Sequence, residues 1–292
     1  MAQYNPYQVV RYDVSTSGDD PAAFWTGERR RSARPVPLLR GRKPEGRAGD
    51  EMRRQPAAPA ASSQPVSNIA AFPYSTVGKL FFCDQNNEIS EGTAWIVADS
   101  IIATVGHTVC YPYEGAQPYW FTEMLFIPQY DRGVGKFGSF QIKTYFTLQG
   151  WIDENGKDPT SDYDLALCRT TTPMPINSTG VLSLQSNVNL VQGTPVTAVG
   201  YPGGPQFNDQ MYESQGQFLY DTDPDNSMYA SNLLTGGASG GPWVVKNQLG
   251  QLIANGINSM GIDDGATWAS PYFGEGIDNL WAAANAGEPD GE

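Results

Sequence analysis

Short apolar segments alternate with turn-forming residues along most of the chain, from about residue 70 onward. β-Branched and aromatic residues are frequent in these segments, and clusters of glycine, proline and asparagine separate them. Apolar runs bounded in this way predict the strands of an all-β sandwich or barrel. The predicted strands are residues 76–82, 93–98, 100–105, 120–127, 139–148 and 164–169, followed by 195–200, 211–220, 228–234, 241–246, 251–259 and 267–273.

The predicted strands fall into two sets, within residues 70–170 and 190–275, and a polar, irregular connector separates them. Residues 275–286 carry Ile277, Leu280 and Trp281 at helical spacing, which predicts a terminal helix packed on the second set. The sequence therefore favours one β-rich domain over residues 67–287, made of two similar halves and a final helix.

Residues 1–66 differ from this body, because prolines, alanines and charged residues leave few apolar anchors. A segment that buries little apolar surface does not offset the entropy lost on ordering. We therefore predict a basic, non-globular N-terminal arm. Two short islands, residues 7–10 and 24–25, have enough apolar surface to dock on the body.

Charge is divided unevenly between the arm and the body. The arm has 11 Lys and Arg against 7 Asp and Glu, whereas the remainder has 7 against 24. An acidic body argues against a nucleic-acid partner, because phosphate contacts need Lys and Arg. The chain has no apolar run long enough to span a membrane. One histidine and three scattered cysteines argue against a zinc site, and we expect no metal and no cofactor.

The residues that suggest chemistry centre on the glycine-rich stretch 235–242, which contains Ser239 between two apolar segments. Glycines let a substrate carbonyl approach the main chain closely, and neighbouring backbone N–H groups can then point at one spot. A glycine-rich hairpin turn is the alternative interpretation of this stretch alone.

A serine nucleophile needs a base, and the only histidine of the chain, His107, follows a β-branched run that predicts a buried strand. The third group would be a carboxylate that orients the imidazole. Asp164 opens an apolar strand and suits this role, while Asp162 is a competitor two residues away.

These motifs and their order resemble the chymotrypsin-like serine peptidases, and more narrowly the bacterial branch that includes the glutamyl endopeptidases. His107 lies in Ala-Thr-Val-Gly-His, Asp164 in Asp-Leu-Ala-Leu and Ser239 in Gly-Gly-Ala-Ser-Gly-Gly-Pro. Residues 72–80 and 92–97 resemble the first barrel strand and the strand before the histidine, and residues 256–261 resemble the strand that lines the substrate. The resemblance covers about residues 70–283. It implies a double six-stranded β-barrel with the C-terminal helix, the arm lying outside it.

The resemblance also implies roles for individual residues. His107, Asp164 and Ser239 would form the catalytic triad of an endopeptidase that works through an acyl-enzyme on a polypeptide substrate. The N–H groups of Gly237 and Ser239 would form the oxyanion hole. The expected substrate-binding residues are Leu234, Thr235, Asn258, Ser259, Met260 and Gly261.

The sequence departs from its relatives at two places. Ala238 precedes the serine, where many chymotrypsin relatives carry an aspartate that pairs with a freed N-terminus, so activation must differ here. Asn258 and Leu234 stand where glutamyl endopeptidases carry a histidine and a threonine that recognise a carboxylate. A preference for glutamate is therefore doubtful, and a neutral or apolar side chain is expected before the cleaved bond.

The resemblance further suggests a Cys83–Cys110 disulfide, which leaves Cys168 as a small buried hydrophobe. Three free thiols in a reducing compartment are the alternative. By analogy with proteases made as precursors, the arm would be a self-inhibiting propeptide, cut near Arg29–Arg31 or Arg53–Arg54, and otherwise a linker. We expect a secreted or extracytoplasmic protein, although residues 1–7 lack the features of a signal peptide.

Two other functions fit the same residues. One is a protease-like binding module that keeps the fold without turnover, although it has no reason to need an intact triad and glycine loop. The other is an esterase-like hydrolase on the same triad, which would cleave activated esters and leave polypeptides intact.

Overall fold

The structure is a computed structural model that describes residues 4–14, 21–41, 61–111, 118–153, 162–221, 227–262 and 264–286. In the arm the strands are β1 (Val9–Asp13), β2 (Arg34–Pro35), β3 (Leu39–Gly41) and β4 (Ser62–Pro65). Those of the first half are β5 (Val77–Cys83), β6 (Ile89–Ala98), β7 (Ile101–Thr104), β8 (Cys110–Tyr111), β9 (Tyr119–Trp120), β10 (Thr122–Pro128), β11 (Tyr130–Asp131), β12 (Val134–Gly135), β13 (Phe140–Leu148) and β14 (Ala166–Thr170).

The second half contains β15 (Pro195–Gly200), β16 (Tyr212–Asp221), β17 (Ser227–Ser231), β18 (Pro242–Lys246), β19 (Leu252–Ile257), β20 (Met260–Ile262) and β21 (Thr267–Pro271). The α-helices are α1 (Pro21–Phe24), α2 (Gly27–Ser32), α3 (Gln149–Asp153), α4 (Ile176–Thr179) and α5 (Glu275–Asn285). Strands thus dominate the described residues, as the sequence predicts.

Six strands of the first half close into a barrel in the order β13-β10-β5-β6-β7-β14, and β14 pairs back onto β13. Both faces of these strands are covered. In β5, Leu80 and Phe82 join the apolar cluster of one face, while Val77 and Phe81 join the cluster of the other. Alternate residues of a strand point to opposite faces, so a continuous apolar run suits a strand that is buried on both.

The second half forms a sheet in the order β19-β18-β15-β16-β17-β21-β20. Its first strand, β19, also contacts β21, where the Ile257 N–H donates to Ser270 Oγ at 2.9 Å. An apolar cluster continues from the first barrel into this sheet, through Val199, Tyr201 and Val244. The two halves therefore share a core, and the cleft between them lies beside it.

Helix α5 matches the predicted terminal helix in position but not in packing. Ile277 and Leu280 are buried, and the helix packs mainly on β13 and β14 of the first barrel, so the prediction that it packs on the second half is wrong. The reason lies in part at the helix C-terminus. The Arg169 guanidinium of β14 donates to the carbonyl oxygens of Ala284 and Ala286 at 2.5 and 2.7 Å and satisfies groups that a helix end leaves unpaired.

The arm is more ordered than its composition predicts. Strand β1 pairs antiparallel with β13, and Trp25 is 4% exposed with its indole N–H donating to the Glu123 carbonyl at 2.6 Å. The predicted docking of the two islands is thus observed, but the non-globular arm is corrected for the described part. Main-chain pairing supplies the order that few apolar residues could not. Residues 42–60 lie outside the description.

The predicted Cys83–Cys110 disulfide is absent, because Cys83, Cys110 and Cys168 are all free and buried. Cys83 pairs across its ladder with Thr122, whereas Cys110 pairs with Trp120. Cys83 and Cys110 thus each pair through the main chain with the segment 119–122. Burial raises the pKa of the Cys83 thiol to about 11 and that of Cys110 to about 12.

Within the described residues, no helix combines the length and apolar character needed to cross a membrane.

Candidate active site

His107 lies in a short turn, Gly106–Thr108, that follows β7. Its backbone N–H donates to Asp164 Oδ1 at 2.8 Å, and its Nδ1 lies 2.8 Å from Asp164 Oδ2. Ser259 Oγ donates to the same Oδ2 at 2.6 Å, and all three side chains are fully buried. An ionised carboxylate only accepts hydrogen bonds, so this arrangement keeps the imidazole proton on Nδ1 and leaves the lone pair of Nε2 available.

The competing carboxylate, Asp162, is engaged elsewhere, because Ser227 Oγ donates to it. Behind the histidine, Trp151 packs against the backbone of Gly106, where a Cβ would lie 2.8 Å from the indole. The indole N–H of Trp151 donates to the Cys110 carbonyl at 2.9 Å, and its ring centroid is 6.4 Å from that of His107. The turn that carries His107 is thus held from both sides.

Ser239 lies in a loop of two successive turns between β17 and β18. The Ala238 N–H donates to the Thr235 carbonyl at 3.1 Å, and the Gly241 N–H donates to the Ala238 carbonyl at 3.0 Å. Gly237 has a φ of 91°, and a Cβ there would lie 2.7 Å from the Tyr201 carbonyl oxygen. Only glycine fits such a position without strain, which explains why the serine is embedded in glycines.

Thr93 of the first barrel clamps this loop from the opposite side. Its N–H donates to the Ser239 carbonyl at 2.8 Å, and its Oγ1 donates to the Gly237 carbonyl at 2.9 Å. The same Oγ1 accepts the Tyr201 N–H at 2.9 Å. Because Thr93 belongs to β6 and the loop belongs to the second half, these bonds fix Ser239 relative to the barrel that carries His107.

The two atoms that nucleophilic chemistry would use are not bonded. Among the residues described, His107 Nε2 and Ser239 Oγ are both buried and have no hydrogen-bond partner. Buried polar atoms are almost always satisfied, and exceptions call for an explanation. Such bonds are often long in an enzyme without substrate and tighten when the substrate binds.

The predicted substrate-binding residues separate into two groups. Met260 and Gly261 lie in β20, directly after Ser259, and β20 pairs with β21 on one side. Asn258 is different, because its amide makes four hydrogen bonds inside the protein: it donates to the carbonyls of Val199 and Ala238 and accepts from Asn232 and Trp243. Its side chain therefore braces the serine loop and has no capacity left for a substrate carboxylate.

The two remaining positions, Leu234 and Thr235, precede the glycines. Leu234 is 3% exposed and belongs to the apolar cluster of the second half, and Thr235 Oγ1 donates to the Gly203 carbonyl at 3.4 Å. Neither offers a charge to a ligand.

Residues 34–41, which we call the strap, cover this site. A Cβ on Gly236 would lie 2.9 Å from the Val36 carbonyl oxygen, and one on Gly237 would lie 3.3 Å from Pro35 Cβ. Further along, β3 adds to the free edge of β20. The strap therefore occupies the cleft between the halves, next to Ser239.

Sequence reasoning missed Thr93 and the strap. Thr93 lies in the segment 92–97 that the resemblance covers, but its role depends on contacts with residues more than 100 positions away. The strap carries one local signal, which is the alternation of prolines and apolar residues in Pro-Val-Pro-Leu-Leu. That signal indicates an extended segment without indicating what it covers.

The part of the chain that contains His107, Asp164 and Ser239 matches a known protein family. The family profile described as trypsin-like peptidase domain matches residues 92–254, which is more than half of the chain. No curated protein sequence matches the chain significantly.

Solved structures with a similar fold include the following three. The protease Anisep from Arthrobacter nicotinovorans is 25% identical, with a TM-score of 0.62 over 77% of this chain and 100% of its own. The thermostable serine protease AL20 from an extremophilic microorganism is 26% identical, with a TM-score of 0.61 over 73% of this chain and 98% of its own. A Glu endopeptidase at 22% identity, with a TM-score of 0.61 over 76% of this chain and 96% of its own, shows likeness of fold alone.

Proposed function

Because the chain belongs to the trypsin-like peptidase domain family, we propose that it is a serine endopeptidase with Ser239, His107 and Asp164 as its triad. The observation that carries the proposal is that Ser239 Oγ and His107 Nε2 are buried and unbonded, while Asp164 already orients the imidazole. A base beside a serine hydroxyl activates it as a nucleophile.

In the proposed reaction, Ser239 Oγ attacks the scissile carbonyl carbon while His107 Nε2 takes the hydroxyl proton. The N–H groups of Gly237 and Ser239 stabilise the oxyanion, and the loss of one such donor typically costs ~3 kcal/mol of transition-state stabilisation. His107 then gives the proton to the leaving amine, which leaves an acyl-enzyme. Water, deprotonated by His107, hydrolyses the ester and restores Ser239. Asp164 stabilises the imidazolium throughout, and Ser259 holds Asp164.

We also propose that residues 1–66 form an arm that keeps the domain over residues 67–287 inactive until it is cut and then displaced. The contacts of the strap beside Ser239 support this role. Of the two predicted cutting sites, Arg29–Arg31 lies inside helix α2, whereas Arg53–Arg54 lies outside the described residues. A helical peptide must unwind to be cut, so we favour the second site. Secretion stays a prediction that rests on the resemblance.

Labelling with a fluorophosphonate probe tests the triad, because the probe reacts with an activated serine. The full-length chain and a form beginning near Gln55 are labelled, each beside its Ser239→Ala variant, and the adduct is located by peptide mass spectrometry. Circular dichroism checks that the shorter form is folded. We expect labelling at Ser239 in the shorter form and little in the full-length chain.

Each other outcome has a defined meaning. Equal labelling of both forms keeps the triad and rejects the inhibitory arm. No labelling of either folded form contradicts the peptidase and favours the silent binding module. Labelling at Ser239 with turnover of activated esters, but not of any polypeptide, favours the esterase.

A further inference from the structure

The strap crosses the cleft as an extended segment, and it is paired in parallel with a strand at each end. At one end, β2 pairs parallel with β6, and the Val36 N–H donates to the Glu91 carbonyl at 2.9 Å. At the other end, β3 pairs parallel with β20, with Leu39 beside Met260 and Gly41 beside Ile262. The strap thus runs from the first-barrel side of the cleft to the second-half side, parallel to the strand that it meets on each side.

A substrate cut by the proposed mechanism must run the other way. The acyl part of an extended substrate would pair with residues 259–261, and its carbonyl at the cut bond would lie nearest Ser239. Such a chain approaches Ser259 from the Gly261 side, which is antiparallel to β20. The strap leaves Ser259 in the direction of Ile262, so its carbonyl groups and amide groups are exchanged relative to a substrate.

Leu38 is the strap side chain that enters the second half beside the serine loop. A Cβ on Gly261 would lie 2.6 Å from Leu38 Cδ2, and a Cβ on Gly236 would lie 3.2 Å from the Leu38 nitrogen. Leu38 is partly buried and packs against the apolar cluster that includes Leu234, Ala238 and Trp268. It therefore lies between the two glycine walls on either side of the proposed acyl position.

We propose that the strap binds the substrate cleft in reverse, with Leu38 in the recess that receives the substrate side chain before the cleaved bond. This inference rests on the proposed function and specifies it in two ways. The recess takes an apolar side chain such as leucine, and the strap inhibits without being cut, because its reversed backbone does not bring a carbonyl to the oxyanion hole.

The surroundings of the recess agree with an apolar occupant. Asn258 is saturated by internal hydrogen bonds, Leu234 belongs to the apolar cluster, and the single histidine of the chain serves as the proposed base. A carboxylate or ammonium group placed there would lose its hydration without gaining a partner of opposite charge from these residues, which is costly.

The test compares two full-length variants that add the same charge to neighbouring positions. Leu38→Asp places a carboxylate in the recess, whereas Pro37→Asp places it at an exposed position of the strap. Thermal unfolding checks that both fold. The rate of fluorophosphonate labelling at Ser239 is measured for both and for the unmodified chain. We expect Leu38→Asp to label roughly tenfold faster, which corresponds to ~1.4 kcal/mol less strap binding, and Pro37→Asp to label like the unmodified chain.

Blocked peptide amides with Leu, Glu or Lys before the cut bond are then given to the Leu38→Asp chain. We expect the Leu peptide to be cut at least about tenfold faster than the other two. Mass spectrometry of the unmodified chain after long incubation should find no cut within residues 34–41.

The results separate this inference from the function on which it rests. If Ser239 labels equally fast in both variants, or the Glu or Lys peptide is preferred, or the strap is cut, the reversed strap with Leu38 in the recess is wrong while the peptidase stands. If Ser239 does not label in any chain, including the shorter form beginning near Gln55, the peptidase fails and the inference fails with it.

Discussion

At the scale of single residues, Thr93 joins the two halves at the point where the proposed nucleophile must meet its base. Its hydroxyl bonds with the main chain of Gly237 and Tyr201, and its amide bonds with Ser239. Thr104 Oγ1 in turn donates to the Thr93 carbonyl at 2.9 Å. Each of these partners is a backbone group or a buried hydroxyl, so in the proposed mechanism Thr93 would act as a positioning residue.

Thr93→Val keeps the shape of the side chain and removes the hydroxyl, which leaves the Gly237 carbonyl and the Tyr201 N–H without that partner. We expect it to lower the free energy of unfolding by about 1–3 kcal/mol. We also expect kcat on a Leu peptide to fall roughly tenfold or more, with a smaller change in KM, because a shifted loop misplaces the oxyanion donors.

Thr93→Ser is the matched control, since it keeps the hydroxyl and should retain most of kcat. All these variants are compared in the Leu38→Asp background, where the site is accessible. A Thr93→Val chain that loses stability but keeps kcat would show that the clamp holds the halves together without positioning Ser239.

The residue scale also shows where sequence reasoning stops. The types and order of His107, Asp164 and Ser239 predict a triad. In the structure His107 bonds to Asp164, while His107 Nε2 and Ser239 Oγ are buried without a hydrogen-bond partner among the described residues. Asn258 was expected to bind substrate because of its position in a motif. Its role depends on Val199, Asn232 and Trp243, whose proximity only the folded chain reveals.

At the scale of elements, the arm is attached to the body at several independent places. The Gln8 carbonyl accepts the Gln149 N–H at 2.8 Å, the Tyr7 carbonyl accepts Asn279 Nδ2 at 3.1 Å, and β1 forms a ladder with β13. Trp25 packs in the first-barrel cluster. These contacts do not depend on the chain being continuous between β3 and β4.

We therefore predict that a single cut within residues 42–60 does not release the arm. After limited proteolysis there, the two fragments should elute together in gel filtration and separate only when urea is added. Removal of a buried tryptophan side chain typically costs about 3–5 kcal/mol, so Trp25→Ala should shift the separation to a lower urea concentration.

An exposed side chain of the arm provides the control. The Gln8 side chain is exposed, and Gln8→Ala, which keeps the backbone carbonyl, should leave the separation unchanged. Fragments that separate without urea would contradict the prediction and would mean that cutting alone opens the site.

The same scale explains which elements the sequence predicts. Strands that are largely buried, such as β5 and β13, are rich in apolar and β-branched residues, and their predicted ends lie within one residue of the observed ends. β20 is short and lies between the predicted strands 251–259 and 267–273, so the sequence pattern missed it. β2 and β3 exist through pairing with distant strands, which local composition does not encode.

At the scale of the whole molecule, all three thiols lie in the first half. Cys110 and Cys168 belong to an apolar cluster of the first barrel and Cys83 is buried in β5, and the predicted disulfide is wrong because all three are free. The fold class could be predicted, because the strand pattern and the order of the motifs both indicate it. The similar structures confirm it.

The thiols give a prediction with a defined dependence on pH. The pKa of a thiol is 9.0 in an unperturbed environment, and burial raises it to about 11 for Cys83 and about 12 for Cys110. Since the thiolate is the nucleophile, iodoacetamide at pH 8 should modify the unfolded chain at all three cysteines and the folded chain very slowly.

Raising the pH from 8 to 10 crosses the thiol pKa of the unfolded chain but not the thiol pKa values of the folded chain. The unfolded chain should therefore react about tenfold faster at pH 10, and the thiolate fraction of the folded chain should stay small. Mass spectrometry counts the adducts, with the unfolded chain kept free of reductant. Three adducts there would agree with free thiols, whereas a single adduct at Cys168 would restore the Cys83–Cys110 disulfide and contradict the structure.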